Sequence, residues 1–187
     1  TLKKSGGYTV RLLGDNEKTL NIRCYRYLHT SETDEINKAI TEADMILTAV
    51  LGENLSDAAE TVREGLEARK AANITKTCNV ICCENLDRAS SVLKKFIYEK
   101  ISPDMKEYLD KYVGFPDAMI SRVVPLATEH PTEIVAENYN EWVIDKPNFK
   151  GEEPGWPFFD VADDMAAKLE RKLWIHNGGH ATVAYLA

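Results

Sequence analysis

No apolar run in this 187-residue chain approaches the ~18 residues that a bilayer-spanning helix needs. The opening TLKKSGGYTV also lacks the apolar core of a secretion signal. Blocks of one charge are missing as well. Acids and bases are interspersed at a formal net charge of −7, which argues against nucleic acid or an anionic membrane as the main partner. The expectation is a soluble, cytoplasmic protein.

Cysteine is scarce, and its four copies (Cys24, Cys78, Cys82 and Cys83) are badly placed for cross-links. Three fall in TCNVICCEN, which reads as a buried strand. Adjacent Cys82 and Cys83 would point to opposite faces of it, a poor disulfide pair. Cys78 and Cys82 match none of the usual zinc-ligand spacings. Buried reduced thiols and no metal site are expected.

What the chain does contain is ordinary for a globular protein: 44% hydrophobic and 28% charged residues. GYTVRLL (7–13) and LNIRCYRYL (20–28) are rich in β-formers and flank the turn-like GDNEK, so they predict a β-hairpin. SETDEINKAITEAD predicts a capped helix with Ile36, Ala39, Ile40 and Ala43 on its apolar side. MILTAVL (45–51) has strand length, and a helix follows over 56–72 with Ala59, Val62 and Leu66 in one stripe. TCNVICC predicts the next strand. After it come a helix carrying Val92, Leu93, Phe96 and Ile97, and a short helix opened by Ser102-Pro103. Apolar strands separated by amphipathic helices predict an α/β fold, a partial doubly wound parallel sheet. AMISRVVPLA and EIVAENYNEWVI add strand-like material with Trp142 buried. The Pro/Gly-rich stretch 146–159 reads as a connector.

The last segment predicts a helix with Asp160 as N-cap and Met165, Leu169 and Leu173 along one face. On an α-helix, Lys172, Asn177 and His180 fall within an arc of ~140° and could face one cleft. A lysine of lowered pKa serves as a base, a histidine orients a hydroxyl, and an asparagine donates to an oxygen gaining charge. Gly178 and Gly179 would admit a ligand or backbone closely. The plainer reading stands beside this one: a solvated lysine, a capping histidine and a Gly-Gly helix stop.

KLWIHNGGHATVAYL carries a K-x4-N-x2-H pattern that resembles the signature of the polyol-specific long-chain dehydrogenase/reductase family. The likeness extends to TAV (48–50), CENLDR (83–88), GFPDAMISRVVP (114–125) and ENYNEWVIDK (137–146). The Glu-Asn pair and the Val-Ile-Asp-Lys wording are most similar to the mannitol-1-phosphate branch. The resemblance implies a Rossmann-type domain and an NAD-dependent, metal-independent secondary alcohol dehydrogenase. Its partner would be a small polyol or sugar phosphate, with mannitol 1-phosphate and fructose 6-phosphate as the expected pair. An unphosphorylated polyol or a hexuronate is the alternative, and a non-catalytic α/β binding module is an alternative of another class. By the same resemblance Lys172 is the general base, Asn177 and Asn85 stabilise the alkoxide, and His180 fixes the reacting hydroxyl. Thr48, Ala49, Val50 and Glu84 are expected at the cofactor.

The family's Gly-rich cofactor turn has no counterpart here, since no G-x-G-x-x-G occurs. The chain therefore reads as a central piece of a longer enzyme. Residues 1–145 would be an incomplete NAD-binding domain, 146–159 a connector, and 160–187 the start of a helical substrate domain. Such a piece is expected to be inactive alone and to self-associate, with apolar surface around Met165, Leu169, Trp174 and Tyr185 exposed. Leu51 stands where the family usually has a glycine, and Ser121 where it often has an aspartate. Glu170 precedes the lysine by two residues, the spacing of the phosphate-using branch.

Overall fold

The computed structural model describes residues 5–14, 17–23, 25–122, 124 and 130–186. Cys24, Val123, Pro125 and part of the GDNEK turn lie outside them. The described residues form two compact units, one drawn from Thr1–Glu32 and Ser121–Glu141, the other from Thr33–Ile120 and Trp142–Ala187.

In the first unit, β1 (Tyr8–Leu13) pairs antiparallel with β2 (Lys18–Ile22), which is the predicted hairpin. The second hairpin strand starts and ends earlier than 20–28. Strand β7 (Glu133–Glu137) pairs parallel on the other side of β1, placing buried Leu12 beside buried Ala136.

The second unit holds most of the core. Helix α1 (Thr33–Glu42) and helix α2 (Leu55–Ala71) pack closely, because Gly65 lacks a side chain: a Cβ there would lie 2.4 Å from Ile40 Cδ1. The predicted stripe of α2 (Ala59, Val62 and Leu66) is buried. A buried arginine finishes this corner. Arg69 donates to the carbonyls of Ile40, Thr41, Ala43 and Lys76 at 2.5–3.3 Å, satisfying backbone groups at the end of α1 that helix geometry leaves open.

Strands β3 (Met45–Thr48), β4 (Cys78–Cys82) and β5 (Val113–Gly114) form a parallel sheet in that order, as expected of a Rossmann-type arrangement. Every residue of the central β4 is buried. The run 45–51 corrects one expectation. It stops being strand at Thr48, and Leu47 is 51% exposed. Helices α3 (Ala89–Tyr98) and α4 (Pro103–Tyr112) cover the sheet with Leu93, Ile97 and Leu109, each at 0% exposure. Fully burying one such side chain stabilises the fold by ~1.5–3 kcal/mol. Ser102 caps α4 by accepting from Met105 N at 3.2 Å, as its Ser-Pro start predicted.

A third sheet has the order β6 (Ala118–Ser121), β8 (Glu141–Asp145) and β9 (Phe159–Ala162). EIVAENYNEWVI is thus split between β7 and β8, in different sheets. Trp142 is half-buried, stacked on Phe158 with ring centroids 6.4 Å apart. The 146–159 stretch is fastened by Asn79, whose side-chain amide exchanges two hydrogen bonds with the backbone of Lys150, at 2.8 and 2.9 Å.

The predicted N-cap is displaced. Asp160 lies inside β9, which pairs with β8, and Asp164 caps the next helix by accepting from Ala167 N at 3.0 Å. Helix α5 (Met165–Arg171) continues through a π-helical turn (Lys172–Asn177) into α6 (Gly178–Leu186), so the glycines do not stop it. Met165, expected to be exposed, packs with Met119, Val143 and Ala162. Trp174 and Tyr185 are exposed, at 70% and 91%, and Leu169 is half-buried.

Candidate active site

The site is built where β4 ends. After Cys82 the chain leaves the sheet, and the ends of the following loop are held. Cys82 N donates to Ser90 Oγ at 2.9 Å, and the Ser91 amide and hydroxyl donate to the Asp117 carboxylate at 2.9 and 2.7 Å. Between these anchors Glu84, Asn85, Leu86 and Asp87 are offered to a cleft. Arg88 closes the loop in the left-handed region, at φ 50°.

Opposite the loop stands the π-helical turn. Its i→i+5 pairing brings residues five apart closer to one face than the ~140° of an α-helix. Lys172 and Asn177 are separated by five. Both line a cleft of about 550 Å³ together with Glu84, Asn85, Arg88 and Glu170. Lys172 Nζ donates to Asn85 Oδ1 at 3.2 Å, between residues 87 apart in the sequence. Lys172 is half-buried, and Asn85 and Asn177 are exposed to the cleft side.

Of the remaining expected residues, Thr48, Val50 and Glu84 meet. Glu84 Oε1 accepts from Thr48 Oγ1 at 2.9 Å and from Val50 N at 3.2 Å. Ala49 is exposed on the same turn. His180 is exposed on α6 and does not line the cleft. An added Cβ at Gly179 would meet nothing within 4 Å, and one at Gly178 would meet Leu173 O at 3.7 Å.

Leu51, at the glycine position of the family pattern, has φ 68° and ψ 146°, a conformation that costs a non-glycine residue roughly 1–3 kcal/mol. Ser121 is buried, with no partner for its hydroxyl among the described residues. Burial pushes the Cys78 and Cys83 thiols up to about 11 and raises Cys82 as well, so these cysteines are protonated and unreactive near neutral pH. No group of three or more His, Cys, Asp or Glu among the described residues is arranged to hold a metal ion.

Two features escaped the sequence reading. The π-helical turn has no periodicity of its own to betray it. Asp87 and Arg88 lie inside the CENLDR motif, and the structure places both on the lining of the cleft.

A model of the mannitol dehydrogenase Rossmann domain matches residues 1–158. Among curated proteins, a mannitol-1-phosphate 5-dehydrogenase of Lactiplantibacillus plantarum is 36% identical over 186 residues, 98% of this chain and 48% of that one. One of Thermoanaerobacter pseudethanolicus is 37% identical over 188 residues, 96% of this chain and 46% of that one. The chain thus spans about half the length of the curated relatives it matches. Among solved structures, a Pseudomonas fluorescens mannitol 2-dehydrogenase ternary complex with NAD and D-mannitol aligns with a TM-score of 0.77 at 17% identity, covering 96% of this chain and 46% of that one. A substrate-free D-sorbitol dehydrogenase aligns with a TM-score of 0.78 at 17% identity, covering 96% and 47%. The two solved structures share the fold, and the family model covers most of the sequence: the chain belongs to the mannitol dehydrogenase family.

Proposed function

We propose that the protein is an NAD-dependent secondary alcohol dehydrogenase that interconverts a polyol phosphate and a ketose phosphate, in the first instance mannitol 1-phosphate and fructose 6-phosphate. One observation carries the reading: the Lys172–Asn85 hydrogen bond of 3.2 Å inside the cleft. The phosphate branch is supported by relatives at 36% and 37% identity that are named mannitol-1-phosphate 5-dehydrogenases. A neighbour of the same fold binds NAD and D-mannitol, which supports the cofactor.

The residues fit a dinucleotide. The Thr48–Val50 turn and the Glu84 loop follow the carboxyl ends of adjacent parallel strands, the side on which open α/β sheets bind ligands. Bound NAD would supply the carbon that accepts hydride.

In this reading Lys172, as a neutral amine, takes the proton of the reacting hydroxyl. Asn85 Oδ1 holds the Lys172 amino group in place, while the amide N–H groups of Asn85 and Asn177 donate to the oxygen as its negative charge grows. His180, exposed on α6 outside the cleft, is given no step in this reading. Residues 1–145 form the nucleotide-binding part, 146–159 the connector, and 160–187 the opening of the substrate-binding part.

The test is NADH oxidation by the full-length protein with fructose 6-phosphate and fructose in parallel. Turnover with the phosphate ester alone is expected. Turnover with fructose alone would move the protein to the unphosphorylated branch, and turnover with neither would contradict the proposed substrate pair.

A further inference from the structure

Glu84 stands between two parts of the cleft. Its Oε1 takes two hydrogen bonds from the turn after β3, the Thr48 hydroxyl at 2.9 Å and the Val50 amide at 3.2 Å. Its chain neighbour Asn85 holds Lys172 from the other side. The turn contains Leu51 in its strained conformation, and a further bond, Asn54 Nδ2 to Val50 O at 2.7 Å, fixes the carbonyl of the same residue whose amide Glu84 holds. The second oxygen, Oε2, is buried and has no hydrogen-bond partner among the described residues. Glu84 thus lines the cleft with one oxygen engaged twice by the turn and the other buried.

Such an arrangement has a cost. A buried carboxylate oxygen without a partner is unfavourable, and a strained Leu51 adds to it. An amide acceptor could satisfy the same two donors without burying a charge. Ionised acceptors, however, form hydrogen bonds roughly twice as strong as neutral ones. The charge is then explained if the turn must be held hard in one position.

We propose that Glu84 is a positioning residue, a clamp that fixes the Thr48–Val50 turn against the Asn85 loop, so that the dinucleotide and the Lys172–Asn85 pair are placed by one carboxylate. It acts through Thr48 and Val50 and does not itself touch the ligand. The functional half of this inference rests on the dinucleotide reading above, whereas the clamp itself does not.

The experiment compares Glu84→Ala, Glu84→Gln and Thr48→Val in the full-length protein, by three readouts. Hydrogen exchange at the Val50 amide is expected to quicken about tenfold or more in Glu84→Ala, the loss of one charge-assisted hydrogen bond, and to quicken much less in Glu84→Gln, which keeps the Oε1 acceptor. NADH binding, followed by fluorescence titration, should weaken by a similar factor in Glu84→Ala and recover most of it in Glu84→Gln. Thr48→Val added to Glu84→Ala should cost little more than Glu84→Ala alone, because both break the same link.

If Glu84→Gln loses as much NADH affinity as Glu84→Ala while the Val50 amide stays protected, Glu84 contacts the ligand through its charge and the proposal fails. If Glu84→Ala only lowers the melting temperature, with NADH affinity and Val50 exchange at 25 °C unchanged, it is an ordinary staple and the proposal fails again. A wild-type protein that binds no NADH would overturn the dinucleotide reading and with it the functional half, while Val50 exchange still decides for or against the clamp.

Discussion

Helix α2 and the helix that carries Lys172 both belong to the second unit, and both were read from the sequence as apolar stripes on charged helices. Their surroundings differ completely. In α2 the stripe meets β4 and α3, and Leu66, Val80 and Leu93 share one core with no exposed surface. Along 172–186, Trp174, Ile175, Val183, Tyr185 and Leu186 are 64–91% exposed. Periodicity reports that a face is apolar; it does not report what covers it. The densely packed half of the unit and the helix that carries Lys172 are thus held by different means: core packing in one, and in the other the Met165 anchor, the Asp164 cap and the Lys172–Asn85 bond.

The contrast is sharpest at Arg69. Arg69→Ala removes a donor shared by four buried or part-buried carbonyls and empties the site of a fully buried side chain, and is expected to lower unfolding stability by about 3 kcal/mol or more in denaturant titration. Leu93→Ala should follow, at about 2–5 kcal/mol depending on how far the site collapses. Trp174→Ala on the reactive helix should change stability by less than about 0.5 kcal/mol. It should also raise the monomer fraction in sedimentation, since the exposed side chains of that helix are proposed to drive self-association of the 187-residue chain. A strictly monomeric wild type would break that side of the comparison.

Smaller effects probe the backbone and the thiols. Leu51→Gly removes a conformation costing roughly 1–3 kcal/mol against an entropic loss of about 0.5–1 kcal/mol, so a net gain of about 1 kcal/mol is expected in thermal unfolding. Gly179→Ala is expected to stabilise the helix by about 1 kcal/mol, as nothing lies within 4 Å of the new Cβ. Loss of turnover in that variant without loss of stability would show that a ligand approaches there. Burial of the Cys78 and Cys83 thiols gives them folded values of about 11, well above the ~8.5 of an unfolded thiol. The stability linked to them is fully present below that unfolded value and lost as pH rises through the folded one. Unfolding measured across this alkaline window should fall in midpoint as pH increases.

Much of the frame was legible because local pattern and packing agree. Ala59, Val62 and Leu66 recur at helical spacing and are buried; in TCNVICC, Val80 and Cys82 pack into one core cluster and Ile81 into another, so the central strand is covered on both faces; Ser102-Pro103 opens a helix where capping chemistry says it should. The failures came where a tertiary partner decides. Asp160 has cap chemistry, yet pairing with β8 makes it strand, and the cap falls to Asp164. MILTAVL has the length and apolar character of one strand, yet the strand ends at Thr48 and the chain turns there toward Leu51. At the site, Lys172, Asn177 and Asn85 were named from their motif and share one cleft, and the turn residues Thr48 and Val50 meet Glu84. His180 shares the motif but sits outside the cleft. The π-helical turn that draws Lys172 and Asn177 together has no signature in side-chain spacing, since it is a property of the backbone ladder.

The most direct test of the account is the turnover of Lys172→Ala in the full-length protein, measured at saturating NADH and fructose 6-phosphate beside its melting temperature. Loss of a general base predicts a kcat lower by ~10²–10⁴-fold with stability nearly unchanged. Near-normal turnover in a folded Lys172→Ala protein would contradict it.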